Sequence, residues 1–271
     1  MKTRIIVAAV GLPLLLLVLL VLPPVATGIL VGAMSVIAVY ELLYMTGLAR
    51  NLYLLVLSAL MALAVAMWSC GGGTWKPALG GIWLYLMALA AVMLSAHTAL
   101  KFDTVCVSMF AGIVIPLLLS SLTRILFLDY GRFYILIPLI LAFSSDTGAY
   151  FAGCYLGKHK MAPVVSPKKT WEGVAGGVAA AVVVMVLYAL ILDLAFSFEV
   201  NMGAAIVYGV LGSATSVVGD LFFSVIKRQT GIKDFGFILP GHGGILDRFD
   251  SMTLVAPLAE SLILLLPLIV G

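Results

Sequence analysis

Apolar positions fall into nine long runs separated by short polar breaks, near residues 5–22, 25–45, 52–69, 79–97, 105–124, 133–152, 172–196, 203–226 and 251–270. A helix needs about 20 mostly apolar residues to cross a bilayer, so each run predicts a membrane span. Pro23-Pro24 divides the first two runs and suits a tight turn. The segment Met1-Lys2-Thr3-Arg4 ahead of an apolar run resembles the start of a signal peptide. The run 5–22 is longer than the roughly 7–15 residues of a secretory h-region, so it is read as a retained span. The predicted fold class is all-α, a polytopic integral membrane protein with about nine transmembrane helices. No fixed-period repeat or low-complexity linker breaks the series.

Composition agrees with that pattern. Of 271 residues, 63% are hydrophobic and 10% charged, and mean hydropathy is +1.22. Soluble domains carry about 25% charged residues, so this chain can neither coat a water-facing surface nor stay disordered. A net charge of +3 with no basic stripe excludes nucleic acid as a partner. Cys70, Cys106 and Cys154 lack metal-type spacing and read as small apolar fillers. Lys and Arg are retained on the cytoplasmic side. A cytoplasmic N-terminus leaves only Lys76, Arg124 and Arg132 outside and the other twelve of the fifteen Lys and Arg residues inside. Nine spans with the N-terminus in and the C-terminus out follow. Trp68, Trp75 and Trp83 then suit an outer aromatic belt, and His97 and His159 read as solvated interfacial residues.

More than half of the charged side chains sit in two stretches, 146–172 and 220–250, on the same predicted membrane face. The expected organisation is N-terminal transmembrane helices over 1–132 and a catalytic membrane core over 133–271, with cytoplasmic loops 153–171 and 227–250. Ser213, Ser216, Asp220, Ser224 and Lys227 recur at steps of three and four and share one helical face. An ionised Asp within a bilayer costs at least roughly 2.5–3.5 kcal/mol. A polar stripe leading to Asp220 therefore argues for a wet cavity or a bound cation rather than a structural seam. Asp146 raises the same question in the span before the first loop.

The second loop is rich in glycine from Gly236 to Gly244, which permits close backbone approach to a ligand. Asp247 and Asp250 share a face at the start of the last helix. Carboxylates on two helix ends with several cations beside them match what a magnesium–phosphate complex requires. In the first loop, Ser166-Pro167-Lys168-Lys169-Thr170-Trp171-Glu172-Gly173 places two lysines at a helix start, where anions are already favoured. Gly173 and Gly177, with Ala181 beyond, form a small-residue face for close helix packing. Glu260 lies in the middle of the last span and is read as auxiliary or structural.

The run from Ser224 to Asp250 resembles the signature of the phosphatidate cytidylyltransferase (CDP-diacylglycerol synthase) family. Its fixed positions are Ser224, Lys227, Arg228, Lys233, Asp234, Gly236, His242, Gly243, Gly244, Asp247, Arg248 and Asp250, without departure. The segment 166–173 is similar to a second block of that family, and Asp146-Thr147 precedes it. The resemblance covers roughly residues 140–255, and the first 130 match only in being apolar.

The resemblance implies transfer of the cytidylyl group of CTP to phosphatidic acid, giving CDP-diacylglycerol and pyrophosphate for phospholipid biosynthesis. It implies Mg2+, with a second cation such as K+ as a further expectation, and a site on the cytoplasmic face of a bacterial inner membrane. Asp220, Lys227, Arg228, His242, Asp247 and Asp250 are then the expected catalytic residues. Asp220, Asp247, Asp250 and Asp146 are the expected metal ligands, Asp220 and Asp247 first. Lys168, Lys169, Ser224, Lys227, Arg228, Lys233, Gly243, Gly244 and Arg248 are expected to bind substrate. A homodimer is suggested by the resemblance and by the small-residue face at Gly173. The alternatives are a cytidylyltransferase for another lipid phosphate, such as an ether lipid or polyprenol, and a transporter using its intramembrane acids. Against transport, the charges gather on one face and no inverted half is visible.

Overall fold

The computed structural model describes residues 2–71, 75–98, 100–238, 241 and 243–270, with the side chains of residues 2–8 and of Trp75 left aside. The helices are α1 Lys2–Leu20, α2 Pro24–Tyr40, α3 Leu52–Cys70, α4 Trp75–Ser95, α5 Phe102–Met109, α6 Ile115–Leu119, α7 Ser121–Leu126, α8 Gly131–Tyr134, α9 Leu136–Leu156, α10 Trp171–Phe196, α11 Met202–Gln229 and α12 Leu246–Leu265. A π-helical turn, Glu41–Met45, continues α2, and another, Phe110–Val114, joins α5 to α6. Strands β1 Lys160–Ala162 and β2 Ser166–Thr170 pair antiparallel as a hairpin.

The protein is thus an all-α polytopic membrane protein. All nine expected spans are helical, and among the described residues seven helices are long and apolar enough to cross a bilayer. The other two are α1 and α12. α1 is a 19-residue helix, of which Ala9–Leu20 is the apolar stretch with described side chains. In α12 the charges Asp247, Arg248, Asp250 and Glu260 interrupt the apolar run.

The chain divides into two units, Met1–Phe127 with Lys227–Phe249, and Leu128–Ile226 with Asp250–Gly271. In this division the break falls at 127/128 and the loop segment Lys227–Phe249 groups with the N-terminal helices.

In the first unit, α2 lies close against α3. A Cβ on Gly28 would meet Cys70 Sγ at 2.0 Å, and one on Gly32 would meet Leu63 at 3.0 Å. Several polar groups inside are paired: Tyr85 donates to Ser108 O (2.9 Å), and Arg124 donates to Ser69 Oγ (3.3 Å) and Ser121 Oγ (2.8 Å), whereas the buried hydroxyls of Ser35, Ser120 and Thr123 have no partner among the described residues. Pairing offsets the cost of taking such groups out of water.

In the second unit, α9 and α10 pack backbone to backbone through glycines. A Cβ on Gly148 would lie 2.4 Å from Ala180 Cβ, and one on Gly176 would lie 2.2 Å from Ala152 Cβ. Gly173 and Gly177 face Ala149 O and Ser145 O, each at 2.9 Å from an added Cβ. The small-residue face of α10 therefore has its partner within the chain and carries no argument for a dimer. The opposite side of α10 exposes Val183, Leu187, Ile191 and Leu194, an apolar surface suited to lipid tails. Tyrosine hydroxyls close the far end of this unit: Tyr208 donates to Leu266 O (3.1 Å), Tyr188 to Phe133 O (2.8 Å) and Tyr134 to Ile269 O (3.3 Å).

Candidate active site

The polar stripe expected on one helix is real, and the structure supplies its neighbours. Asp220 sits on α11, half-buried. Its Oδ2 is 2.7 Å from Lys169 Nζ, and its Oδ1 accepts from Ser224 Oγ at 3.1 Å. Lys169 also donates to Val217 O at 3.4 Å, so it lies along α11 rather than reaching away from it. One turn earlier, Ser216 donates to Asp146 Oδ1 on α9 at 3.3 Å, and Ser213 shares a 2.7 Å hydrogen bond with Ser145. Asp146, Lys169, Asp220 and Ser224 are thus brought into one neighbourhood by α9, β2 and α11. Gly219 permits α12 to approach there, since an added Cβ would sit 3.0 Å from Asp250 O. Asp250 Oδ1 accepts from the Ser251 N–H at 2.8 Å.

Lys169 is delivered by the hairpin. Thr170 caps α10 by accepting from Gly173 N at 3.1 Å. Glu172, in the first turn, takes the N–H groups of Lys158 (3.1 Å) and His159 (3.2 Å), and the His159 ring. His159 is therefore an exposed anchor of the hairpin, not merely a solvated residue. Lys168 lies on the exposed side of the same strand.

The Lys227–Phe249 segment has its own organisation. α11 ends in a glycine cap: Ile232 N donates to Lys227 O (2.9 Å) and Gly231 N to Arg228 O (3.2 Å), with Gly231 at φ +72°. Lys227 turns inward and pairs with Asp247 at 2.9 Å, both side chains nearly inaccessible (10% and 1%). Its ammonium also lies 5.3 Å from the centre of the Phe235 ring. The other oxygen of Asp247 accepts from Phe235 N (2.7 Å) and Gly244 N (3.0 Å). Gly243, at φ +88°, has no room for a Cβ, which would meet Asp247 Oδ2 at 2.9 Å. Asp247 thus has both oxygens engaged by protein donors and shapes the loop. Arg228, Lys233 and Arg248 are exposed, Arg228 donating to Ile232 O at 3.3 Å. His242 lies outside the described residues. Glu260 is half-buried on α12, away from either charged loop in sequence.

Among the described residues, no three His, Cys, Asp or Glu side chains gather closely enough to hold a metal ion by themselves. Asp146 and Asp220, linked through the Ser216 turn, offer hard oxygen donors. Two carboxylates completed by phosphate oxygens and water are a donor set that suits Mg2+.

One residue missing from the sequence reading is central to the first unit. Glu41 is fully buried, and its two oxygens accept from Ile245 N (2.9 Å) and Leu246 N (2.8 Å). Its signal was present: an acid within an apolar span is a functional candidate by default.

The family comparisons extend over regions that share no legible motif. The model of a family described as "Cytidylyltransferase family" matches residues 2–266. The match therefore reaches well beyond 140–255 and includes the N-terminal helices. A phosphatidate cytidylyltransferase of Bacillus subtilis is 35% identical over 266 residues, 95% of each chain. One of Staphylococcus haemolyticus is 33% identical over 271 residues, 97% of this chain and 99% of its own. One of Haemophilus influenzae is 43% identical over 128 residues, which are 47% of this chain and 44% of that protein. A family match over residues 2–266 and full-length relatives at 33% and 35% identity make this chain an enzyme of the cytidylyltransferase family.

Proposed function

We propose that this enzyme transfers the cytidylyl group of CTP to phosphatidic acid, releasing pyrophosphate and forming CDP-diacylglycerol. The observation that carries the reading is the Lys169–Asp220 pair with Asp146 and Ser216 beside it, in a chain whose full-length relatives bear that activity in their names. A phosphate oxygen of the lipid forms a bond to the α-phosphorus of CTP, and the α–β phosphoanhydride bond breaks. That oxygen is ionised near neutral pH, so the step needs positioning and charge stabilisation more than a strong base. Both substrates are anions. Each unit carries cations that can offset their repulsion: Lys168 and Lys169 on the hairpin of one, and Arg228, Lys233 and Arg248 in and beside the loop of the other.

Asp220 and Asp146 would hold Mg2+ together with CTP phosphates and water, and the bound ion would neutralise part of the phosphate charge. Ser224 orients Asp220 from the next turn. Asp247 keeps the loop in shape through its pair with Lys227 and its bonds from Phe235 N and Gly244 N. A cytoplasmic-side site in a bacterial inner membrane is supported by the distribution of Lys and Arg and would meet the lipid headgroup and soluble CTP together. Purified protein in detergent–lipid micelles with labelled CTP, phosphatidic acid and Mg2+ tests this. Label should move to the organic phase only with lipid and metal both present. Label that moves only with a polyprenyl or ether-lipid phosphate would reassign the acceptor.

A further inference from the structure

We infer that Glu41, on the second helix and some 200 residues from the signature loop, is a positioning residue for the reaction proposed above, acting through that loop. Two carboxylates share three consecutive backbone donors. Asp247 takes Gly244 N, while Glu41 takes Ile245 N and Leu246 N. The last two are N–H groups at the start of α12, which have no partner within the helix. A carboxylate there also meets the positive end of the helix dipole.

The fit is close on both sides of the loop. An added Cβ would come 2.5 Å from Glu41 Oε1 at Gly236 and 2.3 Å from it at Gly244. Those glycines flank the stretch that carries Phe237, Gly241 and Gly243. Glu41 therefore lies against the loop at both Gly236 and Gly244. The π-helical turn Glu41–Met45 is where α2 widens, and such turns recur at functional positions. Burial makes the arrangement selective. Gln would present an amide N–H to two N–H donors and satisfy only one of them. Asp would be one methylene short.

Through Asp247 and Phe235, the clamp also fixes where Lys227 and Arg248 stand. Its consequence is substrate binding at the loop, not overall folding. The test uses the full-length protein in micelles, with Glu41→Gln and Gly236→Ala compared with wild type. Two measurements are made: KM and kcat for CTP, and amide hydrogen exchange at Ile245 and Leu246 without substrate. Loss of a hydrogen bond to a charged group should speed exchange at those amides about tenfold or more and raise KM for CTP by a similar factor. Gly236→Ala, which keeps the carboxylate but forces it aside, should do the same. Glu41→Asp, which keeps the charge, should raise KM less than Glu41→Gln does. Unchanged exchange at both amides overturns the inference, whichever lipid proves to be the acceptor. So does a kcat that falls only with the folded fraction while KM stays constant. Wild-type protein inactive on phosphatidic acid would instead count against the reaction, and the exchange arm would still report on the clamp.

Discussion

Lys169 Nζ lies 2.7 Å from Asp220 Oδ2, joining the hairpin to the polar face of α11. The side chains are 22% and 31% exposed, so the pair is wet enough to exchange partners. Under the proposed function, a lysine that neutralises this carboxylate is placed to turn to a substrate phosphate.

Asp220→Asn should keep the fold and cost orders of magnitude in turnover. A partly exposed pair contributes at most ~1 kcal/mol to stability, so the thermal midpoint should hardly move. Near-normal activity at saturating Mg2+ would remove Asp220 from the metal site.

Lys169→Gln separates the two roles of the lysine. It should raise KM for CTP severalfold while leaving thermal stability nearly unchanged. Steady-state kinetics over both substrates reads this, and unchanged KM values for both would exclude a phosphate-binding role for Lys169.

The Lys227–Asp247 pair should behave differently, because it is buried. Removing one partner of a buried pair costs about 3–5 kcal/mol by leaving a charge uncompensated. Lys227→Met should therefore unfold more readily than the double variant Lys227→Met with Asp247→Asn. Denaturant or thermal unfolding in detergent measures the order. A double variant no more stable than the single would show that Asp247 is needed for its backbone bonds alone.

Gly148→Val should loosen the α9–α10 packing, since its first carbon already meets Ala180 Cβ and Gly176 O at 2.4 and 2.7 Å. Overpacking of this kind costs about 1–3 kcal/mol. Gly80→Val, where nothing lies within 4 Å, should be tolerated. Midpoints measured in the same detergent compare them directly.

Orientation can be read at the hairpin tip, where Val164 is 86% exposed. In a variant lacking Cys70, Cys106 and Cys154, Val164→Cys should react with an impermeant maleimide in inverted vesicles but not in intact cells. Labelling from outside would reverse the assigned topology.

Much of this protein is legible along the chain. Apolar runs of bilayer length dictate helices because a spanning segment must satisfy its own backbone hydrogen bonds. The five-residue face from Ser213 to Lys227 follows from helical periodicity, and the charged loops stand out because charge is scarce elsewhere. These are local properties, written in spacing and composition. Tertiary structure alone decided which groups meet. Spacing cannot tell that Lys169 reaches Asp220, that Lys227 turns inward to Asp247, or that the glycines of α10 are filled by α9. Nor can it show that Glu41 grips a loop some 200 residues away. Each of those pairings depends on how packed helices bring distant positions together. A buried carboxylate also takes whichever donors lack partners, and the chain order of residues does not reveal which donors those are.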